Sequence, residues 1–126
     1  MSVNLVRNKK TLVLGASMNP ERYSNIAIGE LRNHGHEVFA IGRDQGSVEG
    51  VEIAQAQVSL SGIDTVTLYL NPERQRDYYE YVLGLKPKRI VFNPGTENDE
   101  FEAMATKQGI EALVACTLVL LATGQY

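Results

Sequence analysis

The chain has 126 residues, 44% hydrophobic and 21% charged, with a formal net charge of −3, a composition expected of a soluble globular protein long enough to bury a core as one domain. The acidic balance carries no basic run, which excludes nucleic acid as the expected partner, and a single cysteine with two histidines excludes a disulfide framework and any zinc-ligand spacing, so no metal is expected. There is no apolar signal core and no stretch long enough to span a membrane, so a cytoplasmic protein without membrane association is expected.

Residues 1–9 read as a polar lead-in, and 10–126 as the single domain. The first strand is expected over 10–14, where apolar residues run together as in a parallel strand covered on both faces. Gly15-Ala16-Ser17 follows it and passes through Met18-Asn19-Pro20-Glu21-Arg22-Tyr23 into an amphipathic helix. Such a turn can aim backbone N–H groups and the positive end of a helix at a phosphate. The dinucleotide fingerprint is not met, because Ser17 and Pro20 occupy the places of its second and third glycines. The longer connection can wrap a phosphate chain but argues against an ordinary hydride-transfer enzyme. Pro20 delays the helix, so Ser24 is expected as its N-cap and 25–33 as its body, with Ala27, Ile28 and Leu31 buried. Gly35 closes it. His34 and His36 flank that glycine and read as structural.

The second strand is expected over 37–42, ending at Arg43 and Asp44. In dinucleotide folds this position sees the adenosine ribose, where an arginine accommodates a phosphate. Arg43 hints at a phosphorylated ribose; a solvated loop arginine beside Asp44 is the alternative. A loop to Gly50, a short edge strand over 51–54 and a linking segment over 55–62 follow. A strand over 64–70 leads to Asn71-Pro72-Glu73, which carries the cap, first-position proline and first-turn acid of a helix start. Tyr78, Tyr81, Val82 and Leu85 supply that helix's apolar face. A strand over 88–92 ends in the turn Asn93-Pro94-Gly95-Thr96, and Thr96-Glu97-Asn98-Asp99 resembles a capping box, with aspartate in place of glutamate. Phe101, Met104 and Ala105 follow at helical spacing, Gly109 ends the helix, 110–114 is the last strand, and 117–121 an apolar close. Alternation of strands and helices predicts an open, mostly parallel sheet of five to six strands with helices on both faces. Gly15, Ala16, Ser17, Arg43, Asn71, Pro72, Pro94 and Gly95 then share the rim at the carboxyl ends of the strands, where such sheets bind ligands.

Gly15-Ala16-Ser17, Asn19-Pro20-Glu21-Arg22-Tyr23-Ser24, Leu31 and Gly35 resemble the small single-domain CoA-binding proteins, which are Rossmann-like and similar to the CoA-binding domain of the succinyl-CoA synthetase alpha subunit. The likeness continues through Val48-Glu49-Gly50, Asp64, Asn93 to Asn98, Gly109-Ile110 and Cys116, over roughly 10–118. The resemblance implies a domain holding the phosphates and adenosine of CoA at the first turn and the end of the second strand. Ser17 and Ser24 then fall at the phosphates, with Arg22 nearby. The family usually has an asparagine-proline pair after the second strand, where Gly42-Arg43-Asp44 stands here. Nothing in this chain matches the context of the synthetase's active-site histidine.

A non-catalytic CoA or adenine-nucleotide binding protein is therefore expected, with a small-molecule ligand as its principal partner. The alternatives are an NAD(P)-type nucleotide-binding protein, with NADP as ligand, a regulatory scaffold of the same fold that has lost its ligand, and a thiol-dependent enzyme using Cys116. Cys116 has apolar neighbours and reads as a buried, inert thiol. Glu97 and Asp99 could form a carboxylate pair, but a capping role explains them more simply. Leu118-Val119-Leu120-Leu121 could form a homodimer contact or meet another protein if exposed.

Overall fold

A computed structural model describes residues 8–126; the first seven residues of the expected lead-in lie outside the described residues. The chain folds in the order β1 (Thr11–Ala16), α1 (Tyr23–Asn33), β2 (Val38–Gly42), β3 (Gly46–Val48), β4 (Val51–Ala54), β5 (Thr65–Leu68), α2 (Pro72–Gln75), α3 (Tyr79–Leu85), β6 (Arg89–Phe92), α4 (Asp99–Lys107), β7 (Glu111–Val114) and α5 (Thr117–Ala122). A 3₁₀ turn, Arg76–Tyr78, joins α2 to α3. The sheet has seven strands in the order β3-β4-β2-β1-β5-β6-β7, parallel except for the β3–β4 pair.

Two apolar clusters lie on opposite sides of this sheet, and β1 feeds both by alternation. Leu12 and Leu14 join Val82, Leu83, Phe101 and Ala105 beneath α3 and α4. Val13 and Ala16 join Ile28, Leu31 and Leu121 beneath α1 and α5. A strand buried on both faces must be apolar throughout, which is why β1 reads as an unbroken hydrophobic run. Phe101 anchors its side through an edge contact with Phe92 at 5.8 Å and a stacked contact with Tyr79 at 4.5 Å between ring centroids.

Several expectations are corrected. The described residues form seven strands rather than five to six, because the loop after β2 contains β3, an antiparallel hairpin partner of β4. β4 is therefore an interior strand. Helix α1 starts at Tyr23 with Arg22 at the N-cap, and Ser24 is buried in the first turn instead of capping it. Asn98, not Thr96, caps α4: its Oδ1 accepts the Phe101 N–H at 3.1 Å, and its own N–H donates to Glu102 at 3.3 Å. The apolar close is a helix, with Leu121 buried and Val119 exposed. Asn71 caps α2 through the Arg74 N–H at 2.9 Å, with Pro72 at the first position, as the sequence signal dictates. Gly35 ends α1 in a left-handed conformation, with its N–H donating to the Arg32 carbonyl and the His36 N–H to the Leu31 carbonyl, both at 3.0 Å.

The amino ends of the strands are sealed. Tyr126 donates to or accepts from the Thr11 hydroxyl at 2.6 Å. The buried Arg89 guanidinium lies 4.4 Å from the Tyr126 ring centroid and donates to the Thr65 hydroxyl and the Tyr126 main-chain oxygen, both at 2.9 Å. His36 belongs to this end too: its Nδ1 accepts the Lys9 N–H at 3.0 Å, and its ring packs 4.9 Å from that of Tyr126.

Two predictions follow from these contacts. Gly15 has φ +98°, and a Cβ there would stand 2.9 Å from the Tyr69 carbonyl carbon and oxygen. Gly15→Ala should therefore cost roughly 2–4 kcal/mol of stability in urea unfolding, from the left-handed backbone and the clash together. Burial, and after it the Lys9 ammonium, hold the His36 imidazole below its ordinary 6.5. Protonation disfavours the fold, so stability should be full above pH 6.5 and decline as pH falls from there toward the depressed value. A His36→Gln variant should lose that part of the pH dependence.

Candidate functional site

Strand order places β2, β4 and β3 on one side of β1 and β5, β6 and β7 on the other, so the direction in which successive strands are added reverses at the β1–β5 boundary, although the two strands are parallel. Ligands of open parallel sheets sit outside the carboxyl ends at such a boundary. A cleft of about 390 Å³ opens there.

Its first wall is the end of β1 and the start of α1: Gly15, Ala16 and Ser17, then Arg22, Tyr23 and Ser24. Gly15 inserts an irregularity into the ladder, since Leu14 pairs with Ile41 and Ala16 already with Gly42. The connection beyond it is organised by its own side chains. The Ser17 hydroxyl accepts the Asn19 N–H at 3.1 Å, Asn19 Oδ1 accepts the Glu21 N–H at 2.9 Å, and Asn25 donates to the Ser17 carbonyl at 2.9 Å. Used as an acceptor, the Ser17 hydroxyl still has its proton to give. No side chain caps α1; the Asn25 N–H already donates to the Arg22 carbonyl at 3.0 Å, which leaves the Tyr23 and Ser24 amides for an anion or water.

The second wall is the end of β2, with Ile41, Gly42, Arg43 and Asp44. Arg43 and Asp44 are both exposed, and among the described residues they form no ion pair with each other. The Arg43 carbonyl is fixed by the Gln55 side-chain amide at 2.9 Å. The third wall comes from β5, α2 and the turn after β6: Tyr69, Leu70, Asn71, Arg74, Tyr78, Pro94, Gly95 and Thr96. Burial pushes the Tyr69 hydroxyl up to about 12, against the pull of Thr67 and Thr117 beside it, so it stays neutral at working pH.

Two buried amides set this third wall. Asn93 donates to the Thr67 hydroxyl at 2.7 Å and the Leu68 carbonyl at 2.8 Å, and its Oδ1 accepts the Thr117 N–H at 2.8 Å. Its carbonyl receives the Thr96 N–H at 2.9 Å and hydroxyl at 2.7 Å, which closes the turn with Gly95 left-handed at φ +91°. Gln75, fully buried, donates to the carbonyls of Leu70 and Thr96, each at 2.8 Å, and accepts from Asn98 at 3.0 Å. One side chain thus ties the end of β5 to the turn after β6.

The structure brings Gly15, Ala16, Ser17, Arg22, Ser24, Arg43, Asn71, Pro94 and Gly95 around this one cleft; Pro72 instead opens α2, exposed and outside the lining. Sequence reasoning missed Tyr23, Tyr69, Leu70, Arg74, Tyr78 and Thr96. The signal for Arg74 and Tyr78 was present, because a helix starting at Asn71 on the rim presents its first turns to that rim. Cys116 is half-buried rather than buried and lies outside the lining. Among the described residues, no group of three or more His, Cys, Asp or Glu could hold a metal ion, and no helix is long and apolar enough to cross a membrane.

A glycine-turned first strand, an uncapped helix start and a cleft at the reversal of strand order define an α/β ligand-binding domain of the doubly wound class. Within that class the chain belongs to the CoA binding domain family, whose model matches residues 9–122. It is similar to an uncharacterised protein of known crystal structure at 48% identity, over 95% of this chain and 99% of that one, with a TM-score of 0.93. A hypothetical protein from Pyrococcus horikoshii OT3 is 28% identical over 90% of this chain and 81% of that one, with a TM-score of 0.80. The fold also recurs in an acetyl-coenzyme A synthetase from Ca. Korarchaeum cryptofilum, solved with phosphate and ADP, at 17% identity over 86% of this chain and 26% of that one, with a TM-score of 0.67. No curated protein matches the chain.

Replacing Gln75 by Leu keeps the volume but leaves the Leu70 and Thr96 carbonyls without their buried donor. Urea unfolding of Gln75→Leu should show a loss of about 1–3 kcal/mol, with unchanged stability showing that the rim does not depend on this amide.

Proposed function

We propose that the cleft binds CoA without turning it over, with the diphosphate at the Gly15–Ser17 turn and the adenosine end toward Arg43. The observation that carries this is the convergence of the first turn, the uncapped start of α1 and the Arg43 segment on one cleft in a chain of the CoA binding domain family. Ser17 offers a hydroxyl donor, Arg22 and the amides of Tyr23 and Ser24 face the phosphates, and Asn71, Pro94 and Gly95 border the remainder of the ligand. The cleft belongs to a Rossmann-like cytoplasmic domain over residues 10–126, which needs no metal for this task.

The non-catalytic reading is supported by the separation of Cys116 from both histidines. A thiol mechanism needs a base beside Cys116. His36 precedes β2 and packs at the sealed amino end of the sheet, whereas Cys116 follows β7 at the opposite end. His34 is engaged with the Glu30 carbonyl at 2.8 Å on the last turn of α1.

Arg43 tests the ligand's identity. CoA carries a phosphate on the adenosine ribose and dephospho-CoA does not. A guanidinium at the end of β2 can give that phosphate two charge-assisted hydrogen bonds. Calorimetric titration should show CoA outbinding dephospho-CoA by roughly ten- to hundredfold, the equivalent of about 1.5–3 kcal/mol. Arg43→Ala should erase most of that preference. Equal affinities of the two ligands for both proteins would remove Arg43 from the site, and binding of NADP but not CoA would replace the ligand altogether.

A further inference from the structure

With the phosphates at the β1–α1 turn and the adenosine toward Arg43, the rest of a CoA ligand has one direction left. β2 lies on one side of β1 and β5, then β6, on the other, so the pantetheine arm and its sulfur run across the ends of β5 and β6. This inference rests on the CoA reading above. Arg74 is the cation on that wall. It is partly buried, and among the described residues no carboxylate lies within ion-pair distance of it. Arg76, two residues on, is exposed and has a carboxylate, Glu100, at 3.8 Å. Glu97, the carboxylate at the neighbouring turn, accepts the Gly95 N–H at 2.8 Å.

A guanidinium keeps its charge at any working pH. Holding it partly out of water without a counter-ion is unfavourable, and an incoming anion removes that cost. The pantetheine arm carries hydroxyl, amide and sulfur groups but no charge. An anion that reaches Arg74 therefore belongs to what is attached beyond the sulfur. We infer that the ligand is an acyl-CoA whose acyl group ends in a free carboxylate, a monothioester of a dicarboxylic acid, and that Arg74 recognises that carboxylate through its planar fork. Tyr78, partly buried one helical turn further on and lining the same cleft, has a hydroxyl that can donate to the second carboxylate oxygen.

Matched thioesters isolate the carboxylate. Succinyl-CoA and butyryl-CoA have acyl chains of equal length ending in carboxylate or methyl, and malonyl-CoA and propionyl-CoA form a shorter pair. Calorimetric titration of the full chain should show the carboxylate-bearing member of at least one pair binding about tenfold tighter or more. Arg74→Met should abolish the preference while CoA itself still binds. Arg74→Lys, which keeps the charge without the fork, should retain part of it and guards against loss of folding in the first variant. Arg76→Met removes the same charge outside the cleft and should leave the preference intact. No preference in either pair, or one that survives Arg74→Met, overturns the inference while leaving CoA binding standing. Equal weakening of both members by Arg74→Met also overturns it and assigns Arg74 to the phosphates. Absence of binding by CoA and every thioester overturns the CoA reading and this inference with it.

Discussion

At the carboxyl ends of β1, β2 and β5 the backbones approach more closely than side chains allow. A Cβ on Gly42 would overlap the Ala16 carbonyl oxygen, and one on Gly15 would press on the Tyr69 main chain. Both glycines serve the sheet before they serve any ligand. Gly15 takes a positive φ that lets β1 shift register against β2 while staying bonded to β5, through the Tyr69 N–H to the Leu14 carbonyl at 2.8 Å. That shift brings Ala16 beside Gly42, and Ser17 and Arg43, the next residues in each chain, line the same cleft. The first and second walls of the cleft thus meet because two positions lack a side chain.

The two ends of the sheet are finished differently. At the amino ends, cationic and aromatic side chains close on Tyr126, and their donors are consumed by neighbours. At the carboxyl ends the buried amides of Asn93 and Gln75 are also fully engaged, but with the scaffold of the rim, so they hold it in place and take no part in the opening itself. What faces the cleft is a glycine turn, an uncapped helix start, a tyrosine held neutral, and Arg22, Arg43 and Arg74. The buried amides thus hold the frame, and the groups left facing the cleft are donors and cations.

Local signals in the sequence were read well where one short-range interaction decides the outcome. Asn71-Pro72-Glu73 starts a helix because the Asn71 side chain reaches an amide three residues on, and Gly35 and Gly109 stop helices because they alone turn left-handed without cost. Competition between neighbouring polar residues was not legible. Ser24 and Thr96 both looked like caps, yet the fold buries Ser24 within the first turn of α1 and spends Thr96 on closing the turn at Asn93. β3 went unseen because its three residues are a strand only by pairing with β4. The family resemblance and the rim order of the cleft were legible from the β1–α1 turn. Tyr69 needed the third dimension, since its relevance depends on which neighbours the strand order supplies.

Between β4 and β5 the chain makes its crossing without a helix. Residues 55–64 pass over the sheet as coil, held by the Gln57 side chain on the Asp77 carbonyl at 2.9 Å and the Tyr81 hydroxyl on the Val58 carbonyl. Leu60 and Ile63 supply its apolar contacts, while Val58 remains 38% exposed. The Gln55 side chain also donates to the Arg43 carbonyl and the Asp64 N–H to the Lys10 carbonyl, but with no helical ladder of main-chain bonds the crossing opens at lower free energy than the helices around it. In hydrogen exchange its amides should be the first of the interior connections to lose their protection, through a local fluctuation that leaves the β1–α1 wall closed. Proteolysis under native conditions should cut there for the same reason, and the two fragments should stay associated through the strands on either side.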